Sequence, residues 1–99
     1  MQETFVTIVG FSHYYGKEPF RIGTELTCIK KPDNVYDSEA IKATLPVIGT
    51  VGYVANGVNT KANGTSTAGR IYDKVGDVFT VKVMFTTSSK VIAQVRLSE

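Results

Sequence analysis

The chain has no tryptophan, a single cysteine (Cys28), a single histidine (His13) and three prolines. One cysteine excludes an intramolecular disulfide, and a lone thiol in an alternating apolar segment reads as a small core residue. One Cys and one His cannot complete the four-ligand set of a structural zinc site. No apolar run is long enough to span a bilayer and Met1 opens no signal-peptide pattern, so the expectation is a cytosolic chain with no membrane partner. A surplus of one charge is also missing, since 11 Lys and Arg against 9 Asp and Glu leave a net +2. Phosphate neutralisation alone would need a concentrated basic face. Nucleic-acid binding would therefore rely on a local site where stacking and hydrogen bonds add to charge. The P-loop pattern G-x-x-x-x-G-K-[ST] does not occur, so these residues contain no ATPase motor of that kind.

What is present is a globular composition of 42% apolar and 20% charged residues over 99 positions, the size of one domain, read as residues 1–99. Period-two alternation dominates, the pattern of strands with one buried face. Phe79, Val81, Val83 and Phe85 share a face, Thr86 to Ser89 is turn-like, and Val91, Ala93, Val95 and Leu97 resume the buried face, which predicts a hairpin. Thr4 to Phe11 is apolar on both faces, so it is covered on both sides or bends at Gly10. Further strands are predicted at Leu26 to Lys30, at Ile41 to Leu45 and at Thr50 to Val54, with Pro46 and Gly49 bracketing the turn between the last two.

Asn56, Gly57, Asn59, Asn63 and Gly64 then mark irregular structure. Ala68, Ile71, Tyr72 and Val75 fit the i, i+3, i+4, i+7 template, predicting a helix of two to three turns capped by Thr65 or Ser66 and stopped by Gly76. Six short strands with an inner apolar face must close on themselves or be covered. The expected fold is mainly β, a small six-stranded OB-like barrel with a short helical insertion.

Two polar segments break the alternation without a packing reason: Ser12 to Gly16 after the first strand, and Lys30 to Asp37 between the second and third. Each sets aromatics beside hydrogen-bonding groups at a strand end, where loops carry function. Aromatic rings stack on nucleobases, lysines attract phosphate, and a carboxylate accepts a hydrogen bond from a sugar hydroxyl while repelling phosphate. An Asp in a basic-aromatic site is thus a reader of a free terminal hydroxyl. Other readings of the same residues stay open: Pro32-Asp33-Asn34 is ordinary turn chemistry, Tyr36 fits a core tyrosine, and His13 fits a surface position.

Val9-Gly10, His13 to Gly16, Lys31 to Ile41 and Val51-Gly52-Tyr53-Val54, in that order and spacing, resemble the HIRAN domain family. The family pattern is a V-G strand end, an aromatic and Gly, a P-x-N-x-Y-D-x-N-A-I motif and a closing G-Y-[VI]. Thr65 to Lys74 is similar to small stand-alone bacterial members. The resemblance implies a small OB-like barrel that captures the 3′-hydroxyl end of single-stranded DNA, without a cofactor. By position, Tyr36 would stack on the terminal base and Asp37 would engage the 3′ hydroxyl. His13 falls at the second stacking position with Tyr14 beside it, and Tyr53 falls where a histidine near the phosphates is expected. Glu39 departs from the motif's Asn, and Ala55 and Asn56 stand where fused domains carry lysines. Lys30, Lys31, Lys61 or Arg70 are the available substitutes. The candidate nucleic-acid interface is therefore His13, Tyr14, Lys30, Lys31, Asn34, Tyr36, Asp37, Tyr53, Asn56 and Lys61. Two further classes compete with it. One is a protein-interaction module using the same groove or a strand edge. The other is a hydrolase holding Mg²⁺ on Asp33, Asp37 and Glu39 with His13 as base.

Overall fold

The computed structural model describes residues 3–57 and 59–96. Its strands are β1 (Phe5–Val9), β2 (Glu25–Lys31), β3 (Ala40–Leu45), β4 (Gly49–Val54), β5 (Val78–Thr86) and β6 (Val91–Arg96). They close a barrel in the order β1-β4-β3-β2-β5-β6, every neighbouring pair antiparallel. Closure satisfies both edges of every strand, as expected for short strands that are apolar on one face. The interior is aliphatic: Val6, Ile8, Leu26, Cys28, Ile41, Ala43, Val51, Val81, Val83, Val91 and Ala93 are all fully buried. Each larger one contributes about 1.5–3 kcal/mol relative to exposure.

Both long connections fold back onto this core. Between β1 and β2, Phe11 and the buried Phe20 pack edge to face at 5.7 Å. Between β4 and β5, the helix α1 (Ala68–Ile71) buries Ala68 and Ile71, and Tyr72 and Val75 pack beside them.

β1 is covered on both sides and also bends at its end. Gly10 takes φ +74°, a left-handed conformation that turns the chain into a 3-10 turn over Phe11–His13, so the strand stops at Val9 and Phe11 leaves it. The outer-facing Thr7 is fully buried because the β4–α1 loop lies across it. Its hydroxyl meets the Thr65 hydroxyl at 2.8 Å and accepts the Ala62 N–H at 3.0 Å.

That network corrects the expected helix cap. Thr65 is spent on Thr7, Ser66 bridges to Val6, and the cap is Thr67, whose hydroxyl accepts the Arg70 N–H at 3.2 Å. The helix is shorter than predicted: one α turn, then a 3-10 turn over Tyr72–Lys74. Val75 is already extended and gives its carbonyl to the Lys30 ammonium at 2.8 Å, so Gly76 is not the stop.

Two β-bulges change which residues face inward. On β4, Gly52 pairs with Ala43 and Thr50 with Thr44, so Val51 is the extra residue and turns inward next to Gly52. On β5, Val83 pairs with Ala93 but Phe85 pairs with Ile92, leaving Met84 as the extra residue. The bulge moves Phe85 to the outer face, where it is 53% exposed, correcting its expected place beside Phe79, Val81 and Val83. Val47, at φ +74°, closes the β3–β4 turn with an Ile48 N–H to Pro46 carbonyl bond of 2.8 Å. Leu97 lies outside the described residues.

Cys28 is a core residue, and burial pushes its thiol up to about 12. Native protein at mildly alkaline pH should therefore resist iodoacetamide under conditions that alkylate the urea-unfolded chain completely. Equal labelling rates, followed by mass spectrometry, would show that β2 opens locally. No helix among the described residues is long and apolar enough to cross a membrane.

Candidate nucleic-acid interface

The β2–β3 loop is organised by its own short side chains. The Asn34 carboxamide oxygen accepts the backbone N–H groups of Tyr36 (2.9 Å) and Asp37 (3.1 Å), an Asx arrangement that fixes the turn. Asp37 repeats the device, its Oδ1 accepting the Glu39 N–H at 2.9 Å. With the backbone held this way, the Tyr36 ring cannot fold back onto the core and stands 94% exposed. The core-tyrosine reading is thereby removed.

Asp37 is anchored from outside its loop as well. Asn56, just past β4, donates its amide to Asp37 Oδ2 at 2.9 Å and accepts the Gly69 N–H of α1 at 2.7 Å. A chain of three segments thus holds one carboxylate. Two of its roughly four acceptor positions are used, which leaves others for a ligand hydroxyl. Glu39 lies over the same spot: a Cβ on Gly69 would sit 2.5 Å from Glu39 Oε1 and 3.1 Å from Asn56 Oδ1, so a side chain there would displace the Glu39 carboxylate. Asn56 occupies the position where a lysine was expected, and it orients Asp37 rather than supplying charge.

Three residues back along β4, Tyr53 faces outward and its ring lies 6.4 Å from that of Tyr14, tilted by 39°. The η turn after β1 delivers Tyr14 there. Desolvation and the neighbouring Tyr53 phenol raise the pKa of the Tyr14 hydroxyl above its ordinary value. Tyr14 is 43% exposed, which leaves part of the aromatic pair open. The structure therefore places one exposed ring and its oriented carboxylate at the β2–β3 loop, and a tyrosine pair on the neighbouring stretch of β4.

The remaining predicted residues are distributed less tightly. His13 ends the 3-10 turn and is exposed. Lys31 lies 3.9 Å from Asp33 and is half-exposed. Lys61 is half-buried in the β4–α1 loop. Lys30 is turned to another task. It pairs with Ile41 on the inner face of β2, bonds the Val75 carbonyl and lies 4.5 Å from the centre of the Tyr72 ring, where it closes the mouth of the barrel. An ammonium spent on a carbonyl and a ring is not a free phosphate contact.

Two contributors were not evident from the sequence. Gly69 forms the floor, and nothing in a helical pattern marks a glycine as the partner of an Asn thirteen residues earlier. Lys42 stands directly across from Tyr53 on β3, and alternation placed it outward without saying what it neighbours. The Mg²⁺ arrangement is not formed. Among the described residues no three His, Cys, Asp or Glu side chains come together as a metal-holding group.

A comparison with curated proteins returns no match, and a comparison with solved structures returns none either. The family model for the HIRAN domain matches residues 1–94. That match runs from β1 into β6 and takes in the Asn34-Tyr36-Asp37 turn and the Tyr53 strand, and the chain belongs to the HIRAN domain family, whose members are in general nucleic-acid-binding modules.

Proposed function

We propose that this domain binds single-stranded DNA at a 3′-hydroxyl end. The observation that carries the reading is the fully exposed Tyr36 ring next in sequence to a carboxylate held by Glu39 N–H and Asn56. Tyr36 offers a face to the terminal base, a contact of about 1–3 kcal/mol that any base can make. Asp37 accepts the hydrogen bond of the terminal hydroxyl on its unused lone pairs. The penultimate base reaches the Tyr14–Tyr53 pair, with His13 beside it. Lys31 and Lys61 supply phosphate attraction.

The same acidic groups give the discrimination. A 3′-phosphate would bring negative charge against Asp37 and Glu39 and offers no hydroxyl in the required place, so it should be rejected. Fluorescence anisotropy with paired 3′-hydroxyl and 3′-phosphate oligonucleotides, over a salt series, tests this directly. Tighter binding of the hydroxyl end at every salt concentration is expected. Equal affinities would remove end-reading, and the absence of saturable binding at low salt would remove DNA and leave the groove to a protein partner.

A further inference from the structure

Register extends the interface well beyond the loops. Tyr53 is paired with Lys42 on β3, which is paired with Ile29 on β2, so the tyrosine pair opens onto the outer face of the sheet. One step along, Thr44 pairs with Thr27, Thr27 with Thr80 and Thr80 with Arg96. Thr27 is exposed, Thr80 is half-exposed, and Thr44 gives its hydroxyl to the Thr27 carbonyl at 2.8 Å. The row ends in an open cleft of about 660 Å³ whose walls include Lys74, Thr80 and Arg96. The one carboxylate on those walls, Glu25, stands opposite Lys82 in the β2–β5 register, with no salt bridge between them.

We infer that this outer face of β3, β2, β5 and β6 is the track for the 5′-ward continuation of the bound single strand, running from Lys42 over Thr27 and Thr80 to Arg96 and Lys74. The inference rests on the end-binding reading above for its starting point, and on the sheet register for its course. Cations stand at both ends with small hydroxyl side chains between them. Only Thr27 stands between Thr44 and Thr80, so no bulky side chain interrupts the row. Hydroxyls donate to phosphate oxygens without adding bulk. At about 4.8 Å per strand, the three steps from Lys42 on β3 to Arg96 on β6 span roughly 14 Å around the curved outside of the barrel, a length suited to a few nucleotides.

Oligothymidylates of about two to about ten nucleotides, each with a 3′ hydroxyl, provide the test. Affinity of the unaltered protein should rise with length and level off at about four to six nucleotides. The variants Thr27→Glu and Lys74→Ala/Arg96→Ala, all on exposed or half-exposed positions, should melt normally and bind the dinucleotide as before. The double variant should lose the gain from length and lower the slope of log K against log salt by about 1.4, two contacts at about 0.7 each. An unchanged length dependence in both variants would overturn the track, as would poly-glutamate competing as well as an oligonucleotide of equal charge. The two readings fail separately. Loss of 3′-hydroxyl preference with a length gain still sensitive to Thr27→Glu removes the end site alone. Hydroxyl preference with no length gain removes the track alone, and no binding at any length removes both.

Discussion

Gly52→Ala is expected to destabilise the barrel by about 3 kcal/mol, the upper part of the range for overpacking a dense core. An added Cβ would lie 2.8 Å from Ile8 Cγ2 and 3.0 Å from the Val9 carbonyl oxygen, with the Phe20 ring at 3.8 Å. None of these can retreat easily. Ile8 is fully buried, Val9 is pinned by its pairing with Tyr53, and Phe20 is part of the core. Ile8→Ala alone should also be costly, about 2–5 kcal/mol, because it leaves a cavity among aliphatic neighbours. Combined, the two should cost less than their sum by about 1–2 kcal/mol, since the new methyl enters the space the isoleucine vacates. The Val9 carbonyl keeps the rescue partial. Urea denaturation of the four proteins measures the coupling, and strictly additive losses would show that β1 and β4 do not meet as described. A functional consequence follows, because the same strand contact positions Tyr53 against the loop that carries Tyr14.

Tyr36→Ala is the change with the largest expected effect on function and the least on the fold. The ring is 94% exposed and the turn beneath it is held by Asn34, so thermal stability should be unaltered. Binding of a 3′-hydroxyl oligonucleotide should weaken by about 1–3 kcal/mol, a factor of roughly 5 to 150, if the ring is a stacking platform. Tyr36→Phe keeps the face and should bind nearly as well as the original. A melting shift in place of a binding loss would make the ring part of the fold, and equal affinity of the alanine variant would take it out of the interface.

Much of this architecture was legible in alternation alone, because a strand that buries one face must put every second residue inside and six such strands leave no stable choice but closure. The buried positions of Leu26, Cys28, Ile41, Ala43, Val81, Val83, Val91 and Ala93 follow from that rule. The exceptions arose where backbone count departs from period two. One extra residue at Met84 reverses Phe85, and one at Val51 puts two neighbours inside together. Helix capping was misplaced for a different reason. Thr65 has the right chemistry for a cap, but the uncovered hydroxyl of Thr7, fifty-eight residues away, competes for it.

For the interface, the Asn34-Tyr36-Asp37 turn could be read from the chain because all its bonds are local, spanning two or three residues. Composition and spacing were enough to mark a small closed barrel bearing an aromatic and a carboxylate on one loop. Which groups anchor that carboxylate, which lysine is consumed in closing the barrel and which lysine stands beside Tyr53 depended on pairings between segments far apart in sequence. Such pairings are set by register and loop closure, and a one-dimensional pattern records neither.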